Sequence, residues 1–203
     1  MRKKVNKPEL PPPNCSPCQI DNQADLAGWL AASGIDVTAW GQGTTKSVAN
    51  LWDEFVKGEM SLQNSPPLRI VQVVQVIIRQ GDRILIEAGQ EFGDHRQRAR
   101  HHPPSEKLES GETHQAAALR CLEEELGVQP QAVQLIHATY RQRQTETDSL
   151  SYPGLKSRYQ FHIIEARVEG LPSIPFWTTE TDTNLTDPVK KHYWTWEMPS
   201  AAE

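Results

Sequence analysis

Leu26, Trp29 and Leu30 recur at helical spacing through residues 25–33, and the run stops at Gly34. Val48, Leu51, Trp52, Phe55 and Val56 repeat the pattern through residues 45–60. Two short amphipathic helices are predicted, packed as a cap on the main domain. Pro66 and Pro67 mark residues 63–68 as a linker. From Arg69 the period changes. Ile70, Val71, Val73, Val74, Val76, Ile77 and Ile78 form a nearly continuous β-branched run, the pattern of a strand covered on both faces. A turn at Gln80, Gly81 and Asp82 leads into a second strand over 83–88. A polar loop then precedes a helix over 113–126, and strand-like composition returns at 133–143, 158–168, 176–179 and 192–196. Strands around one central helix define a mixed α/β domain.

A chain of 203 residues suits one domain of ordinary size with an extension. The expected division is a disordered Pro-rich tail over 1–22, a helical extension over 23–62 and the main domain over 67–200. In the tail, Pro8, Pro11, Pro12, Pro13 and Pro17 remove backbone donors, so neither helix nor ladder is expected. Cys15 and Cys18 form a CxxC there, but no second pair completes a zinc site. With Cys121 as the third cysteine, no disulfide framework is possible. The basic start lacks an apolar core behind it, and no apolar run approaches the roughly 20 residues that span a bilayer. The expectation is a non-secreted protein of the cytoplasm or an organelle interior. A net charge of -5 argues against sequence-independent coating of nucleic acid, which depends on neutralising phosphates.

Carboxylates are densest in and before the 113–126 helix. Gly111 and Glu112 precede Thr113, a plausible N-cap, and the helix stops at Gly127. Arg120, Glu123 and Glu124 lie within one turn. Concentrated carboxylates repel unless a cation sits among them.

The segment resembles the Nudix box, in which Gly, five residues, Glu, seven residues and Arg-Glu-apolar-x-Glu-Glu-x-Gly-apolar occur in order. Glu112, Arg120, Leu122, Glu124, Glu125, Gly127 and Val128 match it, and the resemblance spans about 69–196. It implies a Nudix-type α/β/α sandwich with a mixed central sheet. It also implies a hydrolase of a nucleoside diphosphate linked to another moiety, dependent on Mg2+ or Mn2+. Glu124, Glu125 and Glu112 would hold the metal; Glu124, Glu125 and Arg120 would form the catalytic set, with Arg120 orienting the carboxylates. Two positions depart from the box. Glu106 stands where the family has its leading Gly, and Cys121 where it has a Glu. A soft sulfur disfavours a hard cation, so metal affinity is expected to be weakened. Glu123 is adjacent to the lost position, but one residue of helix turns a side chain by about 100°. Superfamily members with degenerate boxes imply the alternative: a non-catalytic module binding RNA, a nucleotide or a protein complex.

Arg96, Arg98 and Arg100, with Arg141 and Arg143 from a neighbouring strand, are candidates to hold phosphate or ribose oxygens; the competing reading is ordinary surface charge. In the Nudix-type fold that the resemblance implies, the Pro-Gly turn within 145–159 would overhang the cleft and help select the group attached to the diphosphate. Tyr152 there, with Trp177, Trp194 and Trp196, reads as packing more readily than as base stacking. Glu146, Glu165 and Glu180 are candidates for a further downstream carboxylate, and spacing does not choose among them.

Overall fold

The computed structural model describes residues 20–181 and 189–199. The expected tail and its CxxC lie outside them. Asn22 starts α1 (Gln23–Ala32) by accepting the amide hydrogens of Ala24 and Asp25. A reciprocal Ser47/Asn50 box starts α2 (Val48–Val56). α2 is shorter than the pattern over 45–60 suggests. Its chain turns at Gly58, where φ is 71° and a Cβ would lie 2.4 Å from that of Ser110. The residues taken as a linker form the turn of a hairpin. β1 (Ser61–Gln63) pairs antiparallel with β2 (Leu68–Gln80), so the two prolines interrupt the ladder only at its turn.

β3 (Arg83–Phe92), β4 (Gln97–His102) and β5 (Ser105–Lys107) come next, then α3 (His114–Leu126), β6 (Val133–Asp148), β7 (Lys156–Val168), β8 (Phe176–Thr179) and β9 (Val189–Glu197). Sequence pattern missed β4 and β5. β4 is mostly exposed and so carries no apolar alternation, and β5 is three residues long. The main order is β6-β7-β2-β3-β9-β8, with β1 and β5 added to β2 and β4 to β3. β2 and β7 run parallel while the other pairs are antiparallel, which makes the sheet mixed, as expected.

Alternation along β2 serves several clusters. Val74, Val76 and Ile78 join Ala117, Ala118, Cys121 and Leu122 of α3 and Trp194 of β9 in one core. Val71 joins Leu26, Leu30, Trp40 and Leu51 of the extension, together with Tyr152 and Leu155, in a second. Ile77 packs with Ile84, Ile86 and Ile163 in a third. The extension is therefore packed onto the sheet, as the sequence pattern implied. Among the described residues no helix is long and apolar enough to cross a membrane.

Candidate active site

Thr113 caps α3 by accepting the Ala116 amide hydrogen at 3.2 Å, and Gly127, at φ 66°, closes it in the left-handed conformation. The apolar side of α3 faces the sheet, which leaves Arg120 and Glu124 on the flank of a cleft of about 770 Å³. Arg120 works as a clamp on three elements. Its Nε and Nη2 donate to Glu112 at 3.1 and 3.0 Å, Nη1 to Glu124 at 3.1 Å, and Nη2 to the Lys107 carbonyl at 2.7 Å. Burial disfavours its charge, but Glu112 and Glu124 outweigh that and raise its pKa.

Glu125, one residue further, points inward and is 7% exposed while still lining the cleft. Burial pushes its carboxyl well above the usual range, and the charges of Glu87, Glu106 and Glu180 push the same way against His192. The side-chain contact it receives is a long one, 3.7 Å, from the Cys121 thiol. Cys121 itself is fully buried in the core beneath, and burial raises its thiol well above the ordinary value.

Beside Glu125 lies a chain of ionic contacts. His192 Nδ1 meets Glu87 at 2.6 Å and its Nε2 meets Glu180 at 2.9 Å, while Arg100 Nε donates to Glu87 at 3.1 Å. Burial alone would lower the His192 pKa, yet Glu180, Glu87 and Glu125 raise it to about 10. Burial alone would raise the Glu87 pKa, but His192, Arg100 and Gln90 hold it below the ordinary carboxylate value. Sequence reasoning passed over Glu87 and His192. The signal for Glu87 was a carboxylate directly after the apolar run Ile84, Leu85, Ile86.

The candidate residues divide. Glu124, Glu125, Arg120, Arg98 and Arg100 line the cleft, and Glu112 reaches its edge through Arg120. Arg96 is outside the lining, bound to Asp94 at 2.6 Å beside the Phe92 ring. Arg141 and Arg143 are also outside it, contrary to the expectation of a shared cleft. They sit on β6, which β7 separates from β2, and Arg143 stacks over Phe161. Of the three downstream carboxylates, Glu146 pairs with Arg158, Glu165 pairs with Arg79, and Glu180 stands in the cleft. Tyr152 and Trp194 are buried packing residues, while Trp177 is half exposed against Tyr193 and Trp196 is partly buried. The turn around Tyr152 lies under the extension and contributes Ser151 to the cleft. Glu123 is exposed and does not line it.

Among the described residues, no three His, Cys, Asp or Glu side chains already form a coordination shell. Magnesium does not require one, since it is commonly held by one or two carboxylates with water and substrate phosphate completing the octahedron. The donors present suit it. They are hard oxygens, they crowd one another at Glu125, and the mismatched sulfur of Cys121 is turned into the core.

A family model described as NUDIX domain matches residues 69–195. Two solved structures of an Ap4A hydrolase from C. elegans, one a binary complex, are 12% and 16% identical to this chain. They cover 63% and 64% of it and 79% and 80% of their own chains, each at a TM-score of 0.35. A NUDIX hydrolase from Nitrosomonas europaea is 18% identical over 61% of this chain and 71% of its own, at a TM-score of 0.37. No curated protein matches.

Proposed function

The chain belongs to the NUDIX domain family, and from that premise we propose that it is a metal-dependent hydrolase of a nucleoside diphosphate linked to another moiety. The crowding of Glu125 carries the proposal. A carboxylate buried beside Glu87, Glu106 and Glu180 is unfavourable by itself, and a bound dication relieves that repulsion.

Glu124 is the leading metal ligand, with Glu125 and Glu180 beside it and Glu112 assisting through the shared Arg120. When bound, Mg2+ or Mn2+ supplies Lewis-acid polarisation of the diphosphate. Arg98, Arg100 and Lys107 line the same cleft and offer positive charge to its phosphates. Arg120 pairs with Glu124 at 3.1 Å and aims it, so that a carboxylate of the acidic flank can take a proton from the attacking water. The water oxygen bonds to phosphorus, the phosphoanhydride P–O bond breaks, and the leaving phosphate takes the electron pair.

Turnover should appear in a panel of nucleotide sugars, dinucleotides and ADP-ribose with magnesium or manganese, and Glu124→Gln should abolish it. No turnover anywhere in the panel would overturn the proposal. The competing reading, binding without turnover, draws on the burial of Cys121 where the family pattern has a carboxylate. Calorimetry separates the two, because a pure binding module takes nucleotide or RNA with no dependence on the metal.

A further inference from the structure

The two sides of α2 meet different surroundings. Leu51 is buried in the second core with Val48, Trp52 and Phe55 against it, while Asn50 and Asp53, three residues apart on the opposite side, line the cleft. Asn50 Oδ1 is committed to the cap, accepting from the Ser47 amide at 2.9 Å and the Ser47 hydroxyl at 2.8 Å, which leaves its Nδ2 as a donor. The Asp53 carboxylate, unlike that of Glu54 next to it, makes no hydrogen bond or ion pair with the described residues. A donor and an acceptor therefore stand side by side on the cleft wall. Strand register orders the sheet face that lines the same cleft. Tyr159 of β7 lies beside Val71 of β2, Val73 follows two residues along on the same face, and Val73 lies opposite Lys107 of β5. Phe161 stacks with Tyr159 at a centroid distance of 6.0 Å and holds its ring in place. The cleft thus has an apolar, aromatic end at Tyr159 and a charged end at Lys107, whose carbonyl Arg120 of the acidic helix grips at 2.7 Å.

We propose that the N-terminal extension supplies the nucleoside-recognising wall of the cleft: the base lies over Val71, Val73 and Tyr159, and the ribose is read by Asp53 and Asn50. A carboxylate accepts from both hydroxyls of a vicinal diol, and the Asn50 amide donates to an oxygen of the same sugar. A flat heterocycle suits the aromatic and valine floor, whereas a hexose would leave hydroxyls unpaired against it. The diphosphate then extends toward Lys107 and the acidic flank, which sets the direction of the substrate in the cleft. The inference rests on the hydrolase reading of the site and names the residues that select the nucleoside, and its test is chosen to separate the two.

The experiment is isothermal titration calorimetry of the full chain with magnesium, using ADP, 2′-deoxy-ADP and inorganic pyrophosphate as probes. In the natural chain ADP should bind tightest, with 2′-deoxy-ADP about 10-fold or more weaker, the loss of one hydrogen bond to a charged group. Asp53→Ala should weaken ADP by the same order, abolish the difference between ADP and 2′-deoxy-ADP, and leave pyrophosphate binding as it was. Asn50 also caps α2, so Asp53, whose exposed carboxylate has no partner among the described residues, is the position that decides; thermal unfolding checks that the variant folds. Equal binding of ADP and 2′-deoxy-ADP by the natural chain, an ADP preference that survives Asp53→Ala, or no binding of ADP at all overturns the inference. Turnover of the substrate panel decides the proposed function separately. Turnover with binding indifferent to Asp53 leaves the function standing and the inference refuted, while Asp53-dependent binding of ADP without turnover anywhere leaves only the nucleoside wall.

Discussion

Replacing Glu54 by Gln tests whether the N-terminal extension is bonded to the sheet by charge as well as by apolar packing. Glu54 of α2 accepts from Arg69 of β2 at 2.5 Å and from Lys46 at 2.9 Å, with Lys107 at 3.4 Å. The side chains of Glu54 and Arg69 are 7% and 5% exposed. Burial by itself would raise the Glu54 pKa, but Arg69, Lys107 and Lys46 outweigh it and hold the carboxyl at about 2 against an ordinary 4.5. At about 1.4 kcal/mol per pH unit this corresponds to about 3 kcal/mol, and removing one partner of a buried pair costs about 3–5 kcal/mol by a separate route. Lys46 is 40% exposed, so solvent screens its share, and the lower figure is expected. Urea denaturation near neutral pH should show Glu54→Gln about 3 kcal/mol less stable than the natural chain. A folded-state pKa below the unfolded one stabilises above the unfolded value, so the gap should be full above 4.5 and close as pH falls toward about 2. Replacing both partners, as in Glu54→Leu/Arg69→Met, should recover much of the loss because no bare charge remains buried. A gap under about 1 kcal/mol, or one unchanged in acid, would refute the reasoning.

The geometry sets three other outcomes. His192, with its pKa raised to about 10, contributes stability that is complete below its ordinary 6.5 and is lost as pH rises through about 10. NMR titration should find its ring still charged near pH 8, and an imidazole titrating near 6.5 would contradict the Glu87–His192–Glu180 chain. Gly58→Ala should lower the thermal midpoint by the equivalent of about 1–3 kcal/mol, since φ is 71° and the new Cβ meets Ser110; calorimetry checks this, and an unchanged midpoint would show that the 109–112 loop yields freely. Arg98→Ala and Arg100→Ala should each raise KM for a diphosphate substrate about 10-fold or more, the loss of one charge-assisted contact. Arg141→Ala/Arg143→Ala should leave steady-state kinetics unchanged, and equal effects at both pairs would place β6 in the cleft after all.

What could be read without coordinates is what depends on neighbours within a turn or a few strand residues. The spacing of Leu26, Trp29 and Leu30 marks α1, the β-branched run from Ile70 to Ile78 marks β2, and Thr113 and Gly127 bracket α3. Glu112, Arg120, Glu124 and Glu125 are legible for the same reason, because one loop and one helix carry them all. Strands β4 and β5 escaped because an exposed or very short strand has no apolar alternation to display. The tertiary structure decided everything that depends on strand order and register. It joined Glu87 to His192 across 105 residues, admitted Glu180 to the cleft while Glu146 and Glu165 found arginine partners elsewhere, and left Arg141 and Arg143 two strands from β2. It also set Glu106 beside the acidic helix and turned Cys121 away from the cleft. Periodicity specifies which side of an element is apolar; which distant charges then meet is set by how the elements pair, and no local pattern encodes that.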